Sequence, residues 1–321
     1  MKSKFDLMKF TEKVCSFAPR LGKNEQLTAD FLIKTLSDNG IDHYSQQFEA
    51  TIPDWKKADL FADGEKVECK NTSLVSGKIL GKENIVSSFP DIDEAKTKYN
   101  INFSPFADVI CTADFYKHPS VAVKYSDLSK IFKAKKVHGE VVVQKLTYNS
   151  QNILVGNRKN PDYLVFAHYD CIGNGGAVDN ASGVATAMFT IINRPELLEN
   201  TLFIFSGCEE IAYDDYKISG IGFRKFEQTF SSLLKKSKRI YVLDGVGNGN
   251  PHFTHNFDLL NITLQIKMLK SIQAKVFLMQ GNIEKIMDVY HSDIDTIDQL
   301  KEVYLKKSSN LLFDDIKRVL K

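Results

Sequence analysis

Hydrophobic positions near the start of the chain recur at intervals of three and four residues. From Phe5 to Gly40 this spacing, which includes Leu32 and Leu36, is typical of amphipathic helix. Pro19 divides the stretch, because proline lacks the backbone N–H that a helix interior needs. Glycine commonly follows the last turn of a helix, as Gly40 does here. The pattern therefore predicts two helices before residue 41.

The pattern changes between Ile52 and Lys136, where short apolar and polar runs alternate. Ala62-Asp63-Gly64 predicts the turn of a β-hairpin, and helical spacing returns only at Ser126–Ala134. We interpret residues 51–137 as a smaller, mainly β inserted domain. Residues 1–50 and 138–321 are predicted to form the larger domain around it.

After Gly139 short apolar runs alternate with stretches of helical spacing. Strands are predicted at Glu140–Leu146, Asn152–Asn157, Tyr163–Ala167, Leu202–Ser206, Ile240–Leu243 and Lys275–Met279. Helices are predicted at Ala181–Ile192 and Gln299–Leu320, the second with Val303, Leu311, Leu312, Ile316, Val319 and Leu320 on one face. This alternation predicts an α/β fold with a mixed, mostly parallel central sheet flanked by helices on both faces.

The composition is that of an ordinary globular protein. The 321 residues suffice for one large α/β domain or for a catalytic domain with an insertion. Apolar residues make up 43% and charged residues 26%, so a large core can form. The 42 basic and 40 acidic side chains nearly cancel, which gives no reason to expect nucleic acid or an anionic membrane as partner. Small molecules or peptides are the expected substrates.

The cysteines and the N-terminal region bear on location. Five scattered cysteines without a C-x-x-C pair argue against a disulfide framework. Charged residues interrupt the first twenty positions every few residues, so no signal peptide is expected. No apolar run approaches the roughly 18 residues of a membrane span. We expect a cytoplasmic protein that does not bind membranes.

Residues suited to metal binding follow three of the predicted buried strands. His168 follows one strand, Glu209 and Glu210 follow the next, and Asp244 follows a third. The carboxyl ends of parallel strands meet at one edge of a sheet, where ligand sites collect. Histidine and carboxylate side chains are suitable zinc ligands. The sequence therefore predicts a metal site at this edge.

Five short motifs occur in the order found in the di-zinc aminopeptidases. They are Phe166-Ala167-His168-Tyr169-Asp170, Gly176-Ala177-Val178-Asp179-Asn180-Ala181-Ser182-Gly183, Cys208-Glu209-Glu210, Leu243-Asp244, and Tyr290-His291-Ser292 with Asp295-Thr296. The chain resembles this family from Asn152 to Leu300, and Ala18-Pro19-Arg20 is similar to the family's usual start. The superfamily also contains the glutaminyl cyclases.

The resemblance implies a zinc metallopeptidase, in particular an aminopeptidase that cleaves peptides with two zinc ions. His168 and Asp244 would bind one zinc, Glu210 and His291 the other, and Asp179 would bridge both. Three anionic ligands would offset the repulsion between two dications.

The resemblance also assigns residues that do not bind the metals. Glu209 would be the catalytic base that takes a proton from water and passes it to the leaving amine. Asp170 would orient His168, since ligand histidines generally donate their second N–H to such a partner. The Asp179-Asn180 peptide bond is expected to be cis, as in the family.

Three other functions remain open. A glutaminyl cyclase would use similar positions with a single zinc. A carboxypeptidase would need a basic residue for the substrate carboxylate, for which Arg224 and Lys225 are available. A binding module that has kept the fold without catalysis is the third.

Each candidate also has a purely structural interpretation. Asp179-Asn180 could cap a helix, Asp244-Gly245 could form a turn, and His291 could lie in an ordinary capped loop. His252 and His255 match no family position, although their spacing suggests ligands or a specificity loop. Cys171 and Cys208 are interpreted as packing residues.

The insertion and the last motif are the least informative parts. Ala107-Asp108-Val109-Ile110 and the segment from His118 to Val123 are faintly similar to the protease-associated domain of some family members. Such an insertion could wall the substrate cleft, mediate self-association or be purely structural. Only 47 positions (291 minus 244) separate the last two proposed ligands, and the family's Ser-Asp-His and Gly-Ile-Pro elements are absent. Substrate preference is therefore not carried over.

Overall fold

The computed structural model describes residues 5–89 and 98–320; residues 90–97 of the predicted insertion lie outside the described residues. In chain order the elements are α1 (Leu7–Cys15), α2 (Lys23–Asp38), β1 (Tyr44–Ala62), β2 (Glu65–Val67), β3 (Lys70–Asn71), β4 (Gly77–Ile79), β5 (Ile85–Ser87), β6 (Asn100–Phe103), β7 (Ser120–Val123), α3 (Leu128–Lys133), β8 (Val137–Gly156), β9 (Tyr163–His168), α4 (Ser182–Asn193), β10 (Thr201–Ser206), α5 (Ile221–Lys236), β11 (Arg239–Leu243), β12 (His252–Thr254), α6 (Phe257–Thr263), α7 (Leu269–Ile272), β13 (Val276–Gln280), α8 (Ile283–Val289) and α9 (Glu302–Leu320).

The chain divides into two compact units. The first comprises Met1–Ala50, Tyr148–Ile286 and Asp295–Lys321, and the second comprises Thr51–Thr147 and Met287–Ile294. The long strands β1 and β8 contribute residues to both units. The second unit therefore takes in a short segment, Met287–Ile294, that is distant in sequence from the rest of it.

The first unit is built on a mixed sheet with the strand order β12-β13-β11-β9-β10-β8. The four inner strands pair in parallel, and β12 and β8 pair antiparallel at either side. The predicted α/β class is confirmed, although parallel pairing is limited to these inner strands.

Helices cover both faces of this sheet. Along β9, Tyr163, Val165 and Ala167 belong to one apolar cluster, which includes residues of α1, α2, α4 and α9. Leu164 and Phe166 belong to another, which includes residues of α5, α6 and α7. Since successive side chains of a strand point to opposite faces, the continuous apolar run of β9 serves two cores at once.

The second unit is mainly β. Its four-stranded sheet has the order β3-β7-β6-β5, in which β5, β6 and β7 pair in parallel. The predicted hairpin is present, with Ala62 opposite Glu65 and both Asp63 and Gly64 in the left-handed region. The short helix α3 lies within the predicted Ser126–Ala134 stretch.

Three predictions about elements need correction or qualification. Glu140–Leu146 and Asn152–Asn157 are not separate strands, because the polar residues between them continue the extended chain as β8. Val303 does not join the buried face of α9: it is 54% exposed, whereas Leu305, Leu312 and Ile316 are buried. Leu320, also assigned to that face, has a side chain outside the described set. None of the described helices is long and apolar enough to cross a membrane.

Candidate metal centre

The site residues predicted from the strand pattern lie at or just after the carboxyl ends of three neighbouring strands of the first unit. His168 is the last residue of β9 and is paired in register with Ser206, the last residue of β10. Glu209 and Glu210 follow in the turn after β10, and Asp244 comes directly after β11. Parallel pairing therefore brings to one sheet edge residues that are as many as 76 positions apart in the sequence (244 minus 168).

Three of the predicted ligands converge closely enough to hold one ion. Potential ligand atoms of His168, Asp179 and Glu210 all lie within 4.8 Å of one another, and all three residues are buried. His168 Nε2 is 3.1 Å from Asp179 Oδ1 and 3.9 Å from Asp244 Oδ1. Four of the five predicted ligands thus meet in the first unit.

The electrostatics of this edge favour a cation. Burial raises the pKa of Glu209 well above its ordinary value; His168 opposes this rise, and Glu210, Asp170 and Asp244 add to it. Burial alone would lower the pKa of His168, yet its close contacts with the carboxylates of Asp170 and Asp179 bring that pKa well above the ordinary value. Buried carboxylates need a compensating positive charge. A set of imidazole nitrogen and carboxylate oxygens fits zinc by its chemistry.

Asp170 contacts two of the predicted ligands. Its Oδ1 lies 3.5 Å from Nδ1 of His168, and its Oδ2 accepts the backbone N–H of Glu210 at 2.8 Å. Asp170 is completely buried. The orienting role of Asp170 stays a prediction, and the contact with the backbone of Glu210 is one that the sequence did not indicate.

Arg20 supports the backbone beside Asp170. Its buried guanidinium donates to the carbonyls of Tyr169 at 2.6 Å and Gly176 at 2.9 Å. These carbonyls flank the loop that leads from His168 to Asp179. In the sequence, Arg20 is part of a segment similar to the family's usual start and has no other assigned role. Its role in this loop follows only from contacts with residues about 150 positions away in the chain.

The segment carrying Asp179 is a tight turn, Ala177–Ala181, that leads into α4. The Asp179-Asn180 peptide bond is cis, as predicted. The carboxylate of Asp295 accepts the backbone N–H of Val178 at 2.7 Å and that of Asp179 at 3.0 Å. Asp295 belonged to the quoted motif but had been assigned no role. Its carboxylate fixes the backbone of the predicted bridging residue.

Asn180 joins this turn to the end of β11. Its Nδ2 donates to the carbonyl of Leu243 at 2.7 Å, directly before Asp244, and its Oδ1 accepts the N–H of Gly183 at 3.0 Å. A Cβ at Gly183 would lie 2.4 Å from both Asn180 Oδ1 and Leu243 O, so glycine is needed for this approach. The side chain of Asn180 therefore makes the capping contact considered from the sequence. The carboxylate of Asp179 instead faces His168.

His291 lies in the second unit. Its backbone is in the left-handed region, with φ 46°, and its Nδ1 is 3.0 Å from the carbonyl oxygen of Thr112. Thr112 in turn donates its backbone N–H to the carbonyl of His291 at 3.1 Å. A backbone carbonyl is a common partner for the second nitrogen of a ligand histidine. The assignment of His291 as a ligand stays a prediction.

The remaining candidates have structural partners. His255 packs against Phe277 and its Nδ1 lies 3.1 Å from the carbonyl of Val276. His252 is an exposed residue of β12. Burial raises the pKa of Cys171 to about 12 and that of Cys208 well above its ordinary value, so neither thiol is activated. All five cysteines are free.

Arg224, considered as a possible receiver of a substrate carboxylate, is committed to the protein. Its Nε and Nη2 donate to Asp214 at 3.1 and 2.8 Å. Its Nη1 donates to the carbonyls of Ser219 and Gln265, and its Nη2 also to that of Lys217. These bonds use the donors of the guanidinium, which therefore holds the loop after Glu210.

The fold and the sheet-edge cluster define an α/β protein with a candidate metal centre, and comparison with known proteins finds a family whose model matches part of this chain. Residues 151–275 match the model of Peptidase family M28. The matched range contains His168, Asp179, Glu210 and Asp244 and ends before His291. The resemblance seen in the sequence is thereby confirmed. A comparison with curated protein sequences finds no match.

Solved structures share the fold across almost the whole chain. A zinc aminopeptidase from Bacillus subtilis, BSAP, is 15% identical with a TM-score of 0.71, covering 98% of this chain and 94% of its own. The aminopeptidase from Aneurinibacillus sp. strain AM-1 is 17% identical with a TM-score of 0.60, covering 95% and 90%. The Porphyromonas gingivalis glutaminyl cyclase is 12% identical with a TM-score of 0.53, covering 97% and 96%. At these identities the likeness shows the fold.

Proposed function

We propose that this protein is a zinc-dependent aminopeptidase that removes N-terminal residues from peptides. The observation that carries the proposal is the group formed by the buried residues His168, Asp179 and Glu210 with the partly buried Asp244, within the region that matches Peptidase family M28. The similarity of the fold to two aminopeptidases supports the same activity.

The ligand set follows the family pattern. His168 and Asp244 would hold one zinc, Glu210 the other, and Asp179 would be shared by both. The resemblance assigns His291 as the remaining ligand; with Nδ1 donating to Thr112 O, Nε2 is the nitrogen that carries a lone pair for a metal. Bound zinc would polarise the scissile carbonyl and acidify a water molecule.

The side chains around the ligands would handle the proton. Glu209 would accept the proton of the attacking water as the new C–O bond forms, and would deliver it to the amine nitrogen as the C–N bond breaks. Its burial excludes bulk water from this transfer. Asp170 would keep His168 and the Glu210 backbone in place throughout.

A single-zinc glutaminyl cyclase is the second candidate. The specific observation in its favour is that the closest group consists of three residues, the number of protein ligands usual at a catalytic zinc. The similarity to a glutaminyl cyclase fold also supports it. The carboxypeptidase alternative loses one of its two candidate basic residues, because Arg224 is committed to Asp214 and to backbone carbonyls.

Metal quantification combined with a substrate panel tests the proposal. The purified protein should bind two zinc ions per chain and hydrolyse peptides with a free N-terminus but not their N-acetylated counterparts. Hydrolysis that survives N-blocking would contradict the aminopeptidase direction. One zinc per chain, with cyclisation of N-terminal glutamine and no hydrolysis, would establish the cyclase instead.

A further inference from the structure

Glu25 is a completely buried acid that belongs to neither the proposed ligands nor the proposed base. It lies in the first turn of α2. Its Oε1 accepts a hydrogen bond from the hydroxyl of Ser150 at 2.5 Å, and its Oε2 accepts one from the hydroxyl of Tyr148. Oε2 also accepts the backbone N–H of Cys208 at 3.2 Å. A helix near the start of the chain is thereby tied to the turn that precedes Glu209.

The turn that Glu25 contacts has an unfavourable backbone. Cys208 has a φ of 50°, in the left-handed region that residues other than glycine rarely adopt. Such a conformation persists only where its surroundings hold it. The next two residues are the proposed base Glu209 and the proposed ligand Glu210. The direction of both side chains therefore depends on the conformation of Cys208.

Gly207 permits the close contact between this turn and Glu25. A Cβ at Gly207 would lie 2.6 Å from Glu25 Oε1, from Ser150 Oγ and from Tyr169 OH. The absence of a side chain at this position lets the carboxyl group of Glu25 lie directly against the turn.

The far side of the same turn is held by other groups. The N–H of Glu210 donates to Asp170 at 2.8 Å, and the N–H of Gly220 donates to the carbonyl of Glu209 at 2.5 Å. Glu25 supplies the side-chain contact to the amide of Cys208. Backbone bonds also hold this end of the turn: Gly207 donates its N–H to the carbonyl of Gln151 at 3.2 Å, and Gly222 donates to the carbonyl of Cys208 at 3.3 Å. Loss of the Glu25 contact would leave these bonds in place but would remove the side-chain acceptor of the Cys208 amide.

We propose that Glu25 is a positioning residue: by accepting the N–H of Cys208 it maintains the left-handed turn that directs Glu209 and Glu210 toward the metal centre. The catalytic consequence rests on the proposed function, whereas the structural consequence does not. Burial, followed by the charge of Asp170, raises the pKa of Glu25 to about 8. A neutral carboxyl can still accept from Cys208 and can donate to a hydroxyl. Glutamine can make the same two bonds, and leucine can make neither.

The test compares Glu25→Gln with Glu25→Leu in the zinc-loaded full chain, and uses Leu36→Ala as a control. Leu36 is a buried core residue of the same helix α2, so its truncation lowers stability without removing the contact to Cys208. We expect Glu25→Leu to lower kcat about 100-fold, the effect of a displaced catalytic group, with KM nearly unchanged. Glu25→Gln and Leu36→Ala should keep kcat within about threefold of the wild type, well short of that loss.

Hydrogen exchange at the Cys208 amide provides a measurement that is independent of activity. It should be about tenfold faster in Glu25→Leu than in the wild type, and unchanged in Glu25→Gln. Equal exchange and equal kcat in Glu25→Leu and wild type would overturn the inference. So would a Glu25→Gln variant as impaired as Glu25→Leu, since the hydrogen-bond account predicts rescue.

The two proposals fail in different ways. If the wild type hydrolyses no peptide, the proposed function fails, and the exchange of the Cys208 amide still decides the role of Glu25. If Glu25→Leu does not fold, Tyr148→Phe replaces it as the test variant. Loss of that hydroxyl should loosen Glu25. The Cys208 amide should then exchange faster and kcat should fall with KM unchanged, both by a smaller factor than in Glu25→Leu. No change in either quantity would overturn the inference.

Discussion

Asp170 accepts the backbone N–H of Glu210 at 2.8 Å while its other carboxylate oxygen lies 3.5 Å from the Nδ1 of His168. One buried side chain thus touches the strand end that carries His168 and the turn that carries Glu210. In the proposed site these residues bind different zinc ions. A change at Asp170 should therefore affect both metals.

Asp170→Asn tests this link. Asparagine can keep one of the two contacts but cannot accept at both positions with the strength of a carboxylate. We expect zinc affinity to fall about 10- to 100-fold, with a parallel loss of activity. Competition with a zinc chelator measures the affinity. Asp162→Asn, which removes a partly exposed partner of Lys238, serves as the control and should change neither quantity.

Glu209→Gln tests the proposed base. Glutamine has nearly the same shape but cannot take a proton, so kcat should fall by about 100- to 10,000-fold while zinc remains bound. Hydrolysis of aminoacyl p-nitroanilides, measured with zinc content on the same sample, checks both parts. Glu199→Gln, an exposed neighbour in sequence, is the matched control. Wild-type activity in zinc-loaded Glu209→Gln would rule out this role.

Asp295→Asn probes the support of Asp179. The amide oxygen can accept only one of the two N–H groups with similar geometry, and the amide nitrogen would oppose the other donor. Since Asp179 is the proposed shared ligand, we expect zinc affinity to fall about 10- to 100-fold. Asp298→Asn, three residues away and exposed, should bind zinc normally. Unchanged zinc binding in both variants would show that Asp295 is dispensable for the site.

Glu25 should make stability depend on pH. Its pKa is about 8 in the folded protein, above the ordinary value of 4.5, because burial disfavours the charged form. Between about pH 4.5 and 8 the folded state therefore keeps a proton on Glu25 that the unfolded state has already released. The contribution of Glu25 to the free energy of unfolding is complete below this pH window. It is lost as the pH rises through the window, by at most about 1.4 kcal/mol per pH unit.

Comparison with Glu25→Gln isolates this contribution from those of other groups. The free energy of unfolding in urea, measured from pH 5 to 8 at constant free zinc, should decline more steeply in the wild type than in the variant. Parallel curves would mean that Glu25 does not change its protonation on unfolding.

Arg224→Met should act on stability and not on substrate choice. The substitution leaves Asp214 and three carbonyls without their donor, which costs about 2 kcal/mol or more. Thermal unfolding measures the loss, and Lys225→Met gives a matched control. A carboxypeptidase that uses Arg224 would instead show a selective loss of activity on peptides with a free C-terminus.

The apolar pattern was sufficient for most elements of the fold. A run such as that of β9 is long enough for one strand and apolar on both faces, so it predicts a strand covered on both sides. Polar residues within β8 carry no such signal, and for this reason one strand was predicted as two. The exposure of Val303 was likewise not predictable from the sequence, since an apolar residue at helical spacing can lie beside a core without being buried in it.

The sequence by itself determined where the candidate metal ligands lie along the chain and that parallel strands would gather them at one edge. This was possible because strand ends and ligand chemistry are local properties. Only the tertiary structure decided which groups support them: Glu25 against Cys208, Asp295 against Val178, and Arg224 against Asp214. The first two pairs join residues 183 and 117 positions apart, and no local pattern of polarity encodes such a partner. Buried polar groups find their hydrogen bonds only when the chain is packed.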